Sequence, residues 1–321
     1  MSSAAGAIAR WIAPVLTAVV VAGMVLSTGP AHADDAAPGG QPFYVDPNSA
    51  AMRASKANPD SPELAYIANT PQAYFIDNLV PAAAVSTYLN GAWAAGAMPM
   101  LAIYSLPNRD CGSFAAGGFG SGDAYRGWID RVASQIGGGP VTIILEPDAL
   151  DMADCLSGSA RQERFDLISY AVDTLTRNPA AAVYVDAGHS RWLPADEIAN
   201  RLNQVGIAKA RGFSLNVSNF FTTDEEIGYG EAISGMTGGK PYVIDTSRNG
   251  NGPADGELYW CNPSGRALGV QPTRDTGNGH IDAFLWVKRP GDSDGSCGRG
   301  NPGPGNFVNS FAIELARNAG H

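Results

Sequence analysis

Charged side chains are scarce in this chain: Asp, Glu, Lys and Arg make up 16% of its 321 residues, and histidine occurs four times. With so little basic charge and a formal net charge of −10, a nucleic acid or an anionic lipid surface is a poor partner, whereas a neutral or cationic one suits. G-x-S-x-G, H-E-x-x-H and G-x-x-x-x-G-K-[ST] are all missing, which removes the common routes to an activated serine, a zinc-bound water and a cradled nucleotide. No Pro/Ser/Thr-rich linker divides the chain and no repeat is visible, so a single large domain is expected. Four cysteines are present, none in C-x-x-C spacing, which argues against a structural zinc.

What is present begins with an export signal. Arg10 precedes the apolar stretch "WIAPVLTAVVVAGMVL", which ends at Ala31, His32 and Ala33. An uncharged core followed promptly by an A-x-A site reads as a secretory signal peptide over residues 1–33, cleaved after Ala33, in preference to a membrane anchor. "DDAAPGGQ" at 34–41 reads as a flexible leader, leaving 42–321 as the folded domain. Loss of Arg10, the one charged residue of the signal, takes the net charge from −10 to −11. In an oxidising compartment the even number of cysteines suggests two disulfides. Of the three connectivities, local pairing of Cys111 with Cys155 and Cys261 with Cys297 is favoured, since each bridge then clamps one segment. Each would add about 4 kcal/mol by the chain-entropy argument.

Short apolar runs recur along the domain: "PFYVD", "AYFID", "PMLAIYS", "VTIILEPD", "AVYVDAG", "GFSLNVS", "PYVIDTS" and "AFLWVKRP". Continuous runs of this length suit strands buried on both faces of a parallel sheet. Between them lie segments of helical period, such as Trp128, Val132 and Ile136, or Phe165, Ile168, Val172 and Leu175, or Ile198, Leu202 and Val205. The alternation predicts an α/β fold, a distorted (β/α) barrel or a doubly wound sheet. Acids stand at or just beyond the run ends: Asp46, Asp110, Glu146, Asp148, Asp186, Asp245, Asp292 and Asp294. Each alone reads as a helix cap. As a set they should converge on the carboxyl face of the sheet, where such folds carry their sites. Clustered carboxyls without activating bases point to acid/base chemistry, as in glycoside hydrolysis, or to oxygen ligation of a divalent metal.

The strings "YSLPNRDCG", "ILEPDALDMADC", "YVDAGHSRW", "LNVSNF", "VIDTSRNGNG", "WCNPSGR" and "FLWVKRPGDSDGSCG", in this order from about residue 42 to the C-terminus, resemble glycoside hydrolase family 6, the inverting cellulases. The resemblance implies a distorted, TIM-like barrel with its cleft at the carboxyl ends of the strands, cutting β-1,4-glucosidic bonds with inversion. It places the general acid at Asp148, and at Asp110 an aspartate that raises the acid's pKa and orders water. Tyr104 would lie beneath the distorted sugar ring, and Asp294 is the candidate base. The same carry-over makes His189, Trp192, Asn219, Trp260, Lys288 and Asp292 substrate-binding residues, while Trp93, Trp128 and Trp286 are left to the core. Where the family often has a tryptophan platform on the second strand, this chain has Tyr74 and Phe75. The short interval between Cys261 and Cys297 implies an open cleft and endo action. The expectation is a secreted monomer without cofactor, metal or membrane anchor, acting on a β-1,4-glucan. A secreted glucan-binding protein without turnover is the alternative.

Overall fold

Seven of the eight apolar runs form strands. They are β1 (Tyr74–Ile76), β2 (Met100–Ile103), β3 (Val141–Leu145), β4 (Ala181–Asp186), β5 (Gly212–Leu215), β6 (Tyr242–Asp245) and β7 (Ile281–Leu285). The computed structural model describes Met1, Ser2 and residues 40–321; the expected cleavage site at Ala33 lies outside the described residues. "PFYVD" makes a single parallel bridge, Phe43 to Met98, and stops. Pro47 has no N–H to extend a ladder, and Asp46 turns inward to accept from the Asn48 N–H at 2.9 Å at the approach to the first helix.

All strand pairs are parallel and adjacent in sequence order, β1 to β7. Parallel neighbours need crossovers, and helices supply most of them: α3 (Ala82–Ala94), α4 (Gly122–Ile136), α5 (Gly158–Leu175), α6 (Ala195–Gln204) and α7 (Thr223–Met236). Helices α1 (Ala50–Ala57) and α2 (Pro62–Ala68) precede β1, and α8 (Asn309–Asn318) closes the chain against α2. Local caps start several of them, with Ser49, Ser61, Ser121 and Thr222 each accepting a first-turn N–H.

The period of two along the strands separates two cores. Leu101, Ile103, Ile143, Leu145, Val183, Val185, Phe213 and Ile244 pack outward against the helices. Ala102, Ile144, Ala182, Tyr184, Val243, Ala283 and Leu285 fill the inside of the curled sheet. Small alanines on three strands leave room for Tyr184, whose hydroxyl donates to Asp282 Oδ2 at 2.6 Å. The sheet is an α/β barrel that stops short of full closure. Between its edges, β1 and β7, one backbone hydrogen bond is seen among the described residues, from the Ala73 N–H to the Trp286 carbonyl at 3.0 Å. No helix among the described residues is long and apolar enough to cross a membrane.

Candidate active site

Loops leaving the carboxyl ends of the strands enclose a cleft of about 630 Å³. Asp110, Asp148, Asp294, Tyr104, His189, Trp192, Asn219, Trp260, Lys288 and Asp292 all line it. Residues up to 190 positions apart, Tyr104 and Asp294, are thus gathered by one topological fact, that parallel strands end on the same face. Among the acids at run ends, Asp46 lies outside the lining, whereas Glu146, Asp186 and Asp245 sit buried below it.

Those three buried carboxylates shape the floor. Glu146 accepts from the Ser105 N–H (2.9 Å) and the Leu106 N–H (3.2 Å), fastening the end of β3 to the loop after β2. Asp186 Oδ1 accepts from the Asp148 N–H at 2.8 Å and the Gly188 N–H at 3.1 Å, while Oδ2 takes the Ser214 hydroxyl at 2.9 Å. Asp245 does the same for the far wall, accepting from the N–H groups of Ser218, Ser247, Val287 and Lys288. Burial pushes Glu146 and Asp186 up to about 7, against the pull of these hydrogen bonds.

Asp148 follows Pro147 in a turn where both Glu146 (φ 53°) and Asp148 (φ 67°) adopt left-handed backbone. Strain of this kind is held by the surroundings, here by the hydrogen bonds to Glu146 and Asp186. The Asp148 carboxyl is raised well above the usual carboxylate range, first by burial and then by the charges of Asp186, Asp110 and Asp294, with Lys288 opposing. Asp110 is itself raised by burial, though its Oδ2 accepts from the Ala115 N–H at 2.6 Å.

Asp294 has the opposite surroundings. Arg248 Nη1 reaches both of its oxygens, at 3.0 and 2.9 Å, Lys288 Nζ lies 2.9 Å from Oδ1, and the Asn262 N–H donates to Oδ2 at 3.0 Å. Burial resists ionisation there, yet Arg248 and Lys288 hold the carboxyl below its ordinary range.

The remaining side chains supply a mixed polar and aromatic wall. Tyr104 meets Phe75 edge to face (centroids 6.5 Å) and carries the Arg109 guanidinium 4.8 Å from its own ring centroid. Arg109 in turn donates to the Tyr104 carbonyl at 2.8 Å and pairs with Asp77 at 3.2 Å. His189 stacks on Phe221 at 4.3 Å and stands 5.2 Å from Trp192. Burial lowers its pKa to about 4, so the imidazole is neutral, with Nδ1 accepting from the Arg191 N–H at 3.2 Å. Asn219 is buried, its amide held by the Val217 carbonyl at 3.1 Å. Asp292 Oδ2 accepts from Arg289 Nε at 2.6 Å.

Cys111 is bonded to Cys155, and Cys261 to Cys297. The first bridge joins the Asp110 loop to the segment after Asp148, the second joins the Trp260 loop to the segment after Asp294. Trp286 is fully buried, and the Trp93 indole N–H donates to the Pro140 carbonyl at 2.9 Å, as core roles require. Among the described residues no three His, Cys, Asp or Glu side chains are grouped so as to hold a metal ion.

Sequence reading passed over Arg248, Arg109, Asp151 and Tyr259. Arg248 stands three residues beyond Asp245, at the same strand end as the acids, and a cation in that position is a legible sign of charge pairing. Arg109 directly precedes Asp110, and Tyr259, a cleft residue, directly precedes Trp260. Asp151 is buried, with neither carboxyl oxygen hydrogen-bonded among the described residues, and burial together with Asp186 and Asp148 pushes it well up. Nothing in its immediate sequence distinguishes it from a helix-capping acid.

The model of the family described as glycosyl hydrolases family 6 matches residues 39–319. Endoglucanase A of Cellulomonas fimi is 48% identical over 86% of this chain and 61% of its own length. Endoglucanase A of Thermobispora bispora is 44% identical over 92% of this chain and 65% of its own. The chain therefore spans somewhat under two thirds of the length of these two relatives. The solved endoglucanase Cel6 of Mycobacterium tuberculosis, in complex with methyl-cellobiosyl-4-deoxy-4-thio-β-D-cellobioside, is 65% identical with a TM-score of 0.87, covering 89% of this chain and 100% of that one. Endoglucanase Cel6B of Humicola insolens, at 24% identity and a TM-score of 0.77 over 87% of this chain and 97% of its own, shares the fold. With the expected strand-end cleft in place and the family match running almost from end to end of the described domain, the chain belongs to glycosyl hydrolase family 6.

Proposed function

We propose that this protein is a secreted, inverting endo-β-1,4-glucanase whose catalytic domain is residues 42–321, working as a monomer without cofactor. One observation carries the reading: a single cleft holds two carboxyls whose surroundings push their acidities apart, Asp148 up and Asp294 down. Such a divergence supports Asp148 as the proton donor and Asp294 as the proton acceptor.

Asp148, whose protonated form is favoured by burial and by the neighbouring acids, gives its proton to the glycosidic oxygen as the C–O bond breaks. A water on the opposite face of the ring attacks the anomeric carbon and passes its proton to Asp294. The water bound to that carbon becomes strongly acidic as the new bond forms, so a carboxylate of depressed pKa is base enough. Asp110 keeps a second negative charge near Asp148, which favours the protonated acid in the ground state. Tyr104 offers a ring to the sugar bound over the reacting centre, and Trp192 and Trp260 offer apolar faces to its neighbours. His189, Asn219, Lys288 and Asp292 supply hydrogen-bonding groups for hydroxyls. Names of relatives that are endoglucanases, and a neighbour solved with a cellobiosyl ligand, support a β-1,4-glucan as substrate.

The test is digestion of soluble β-1,4-glucan and cello-oligosaccharides, with the anomer of the first product read by NMR. Inversion gives an α product at the new reducing end. A β product at early times would refute the mechanism.

A further inference from the structure

Each wall of the cleft is made of two loops joined by a disulfide. On one side Cys111–Cys155 links the loops of Asp110 and Asp148; on the other Cys261–Cys297 links those of Trp260 and Asp294. The two walls meet at an aromatic contact. Phe114, on the Asp110 loop, has its ring centroid 5.9 Å from that of Trp260, with the planes tilted by 42°. It also rests on the residue after Asp294, for a Cβ built on Gly295 would lie 2.5 Å from the Phe114 Cβ.

Arg109 holds this loop from its own wall, its Nε donating to the Ala115 carbonyl at 2.9 Å, and Phe114 is the one large side chain the loop offers to the wall opposite. In "GSFAAGG", residues 112–118, six of seven are Gly, Ala or Ser, and such residues give a loop little to pack with. Gly118 fixes one end, where a side chain would collide with the Leu106 carbonyl. At the tip Phe114 stays 36% exposed, with Trp260 and Gly295 of the opposite wall against it. Ser113 and Ala115 on either side both line the cleft. Ala115 also supplies the N–H that holds Asp110 Oδ2 at 2.6 Å, and its carbonyl accepts from Arg109 Nε at 2.9 Å, so Phe114 and Arg109 together set where Asp110 points.

Building on the glucanase reading, we propose that Phe114 is a strap across the cleft. It joins the Asp110 wall to the Asp294 wall, positions Asp110, and has to part before an internal stretch of a long glucan can settle between the walls. An aromatic pair shifts an equilibrium by about two- to tenfold, enough to keep the strap closed most of the time and little enough to let it open. A short oligosaccharide or a chain end enters beneath the closed strap. An internal segment binds only to the open fraction, and its apparent affinity is reduced by that fraction.

The experiment compares wild type, Phe114→Ala and Phe114→Tyr on cellohexaose and on high-molecular-weight carboxymethylcellulose. For Phe114→Ala the ratio of kcat/KM on polymer to that on cellohexaose rises by about two- to tenfold. Its kcat on cellohexaose falls, since Asp110 loses support, and Phe114→Tyr keeps both values near wild type. Phe114→Leu, which keeps bulk without the aromatic pair, gives an intermediate ratio and serves if the alanine variant does not fold. An unchanged ratio in a folded Phe114→Ala or Phe114→Leu protein, or equal losses on both substrates, overturns the strap while leaving the glucanase reading intact. A wild-type protein inert on both substrates overturns that reading, and the strap's role with it.

Discussion

Asp148 and Asp294 carry the same functional group, and their neighbours alone push the acidity of one up and of the other down, which underlies the proposed division into acid and base. Replacing Asp148 with Asn keeps its shape and removes its proton. Hydrolysis of carboxymethylcellulose should drop by about a thousandfold, while oligosaccharide affinity measured by calorimetry stays close to wild type. Asp110→Asn tests the electrostatic link. It removes a negative charge that raises Asp148, so the acid loses its proton at lower pH. The alkaline limb of kcat/KM against pH should move toward acid, and a limb left in place would separate Asp110 from the tuning of Asp148. At this scale a residue's place in the cleft was readable where it belongs to one short string, as with Asp110 in "YSLPNRDCG" and Asp148 in "LEPDAL". It was opaque where a role is shared across the fold. Asp294's depressed pKa depends on Arg248, 46 residues earlier, and no local pattern couples the two.

At the scale of elements, parallel strands buried on both faces write themselves as apolar runs, which is why β1 to β7 were legible. "PFYVD" has the same composition and fails as a strand because Pro47 and the turn that Asp46 makes with the Asn48 N–H end it after one bridge. The helices were legible by period, with Phe165, Ile168, Val172 and Leu175 all on the buried side of α5. Loops were the hard part. Their shape rests on left-handed backbone at Asn108, Asp110 and Cys111, and on contacts with distant loops that carry no sequence signature. The disulfides convert such loops into fixed walls. Changing Cys111 and Cys155 together to Ser should cost about 4 kcal/mol of stability in denaturant unfolding. It should also lower kcat more than it raises KM, because the pair that drifts apart is Asp110 and Asp148. A variant with wild-type kcat would show that packing alone holds the two loops.

For the whole molecule, the site's electrostatics feed back on stability. Glu146, Asp186 and Glu226 are each pushed by burial to about 7, so the fold keeps them protonated at pH values where the unfolded chain ionises. Their effect is a loss of stability as pH rises from the ordinary carboxylate range toward about 7. His189, lowered to about 4, acts in the other direction: as pH falls below the ordinary imidazole range the unfolded chain takes up a proton that the fold refuses. Three carboxyls outweigh one imidazole. Tm should therefore be several degrees higher at about pH 5 than at about pH 7.5, read by calorimetry. A Tm that climbs steadily over that interval would mean that the buried acids are charged in the fold.

The meeting of Ala73 with Trp286 gives the barrel something a closed one lacks. Elsewhere the strands are paired by ladders, with one register shift between β6 and β7, but here, among the described residues, a single backbone bond joins the first strand to the last. The aromatic pair Tyr74 and Phe75 leads off one lip of this seam, and Lys288, Asp292 and Asp294 follow the other. The seam works as an expansion joint. Parting this seam costs one backbone hydrogen bond, besides the contact of Arg289 with Phe75, while the strand ladders stay paired, and the Ala73 amide should exchange with deuterium far sooner than that of Val183 in the central strand β4. On the glucanase reading, a polymer held along such a joint meets a track whose gauge can adjust where no ladder constrains it.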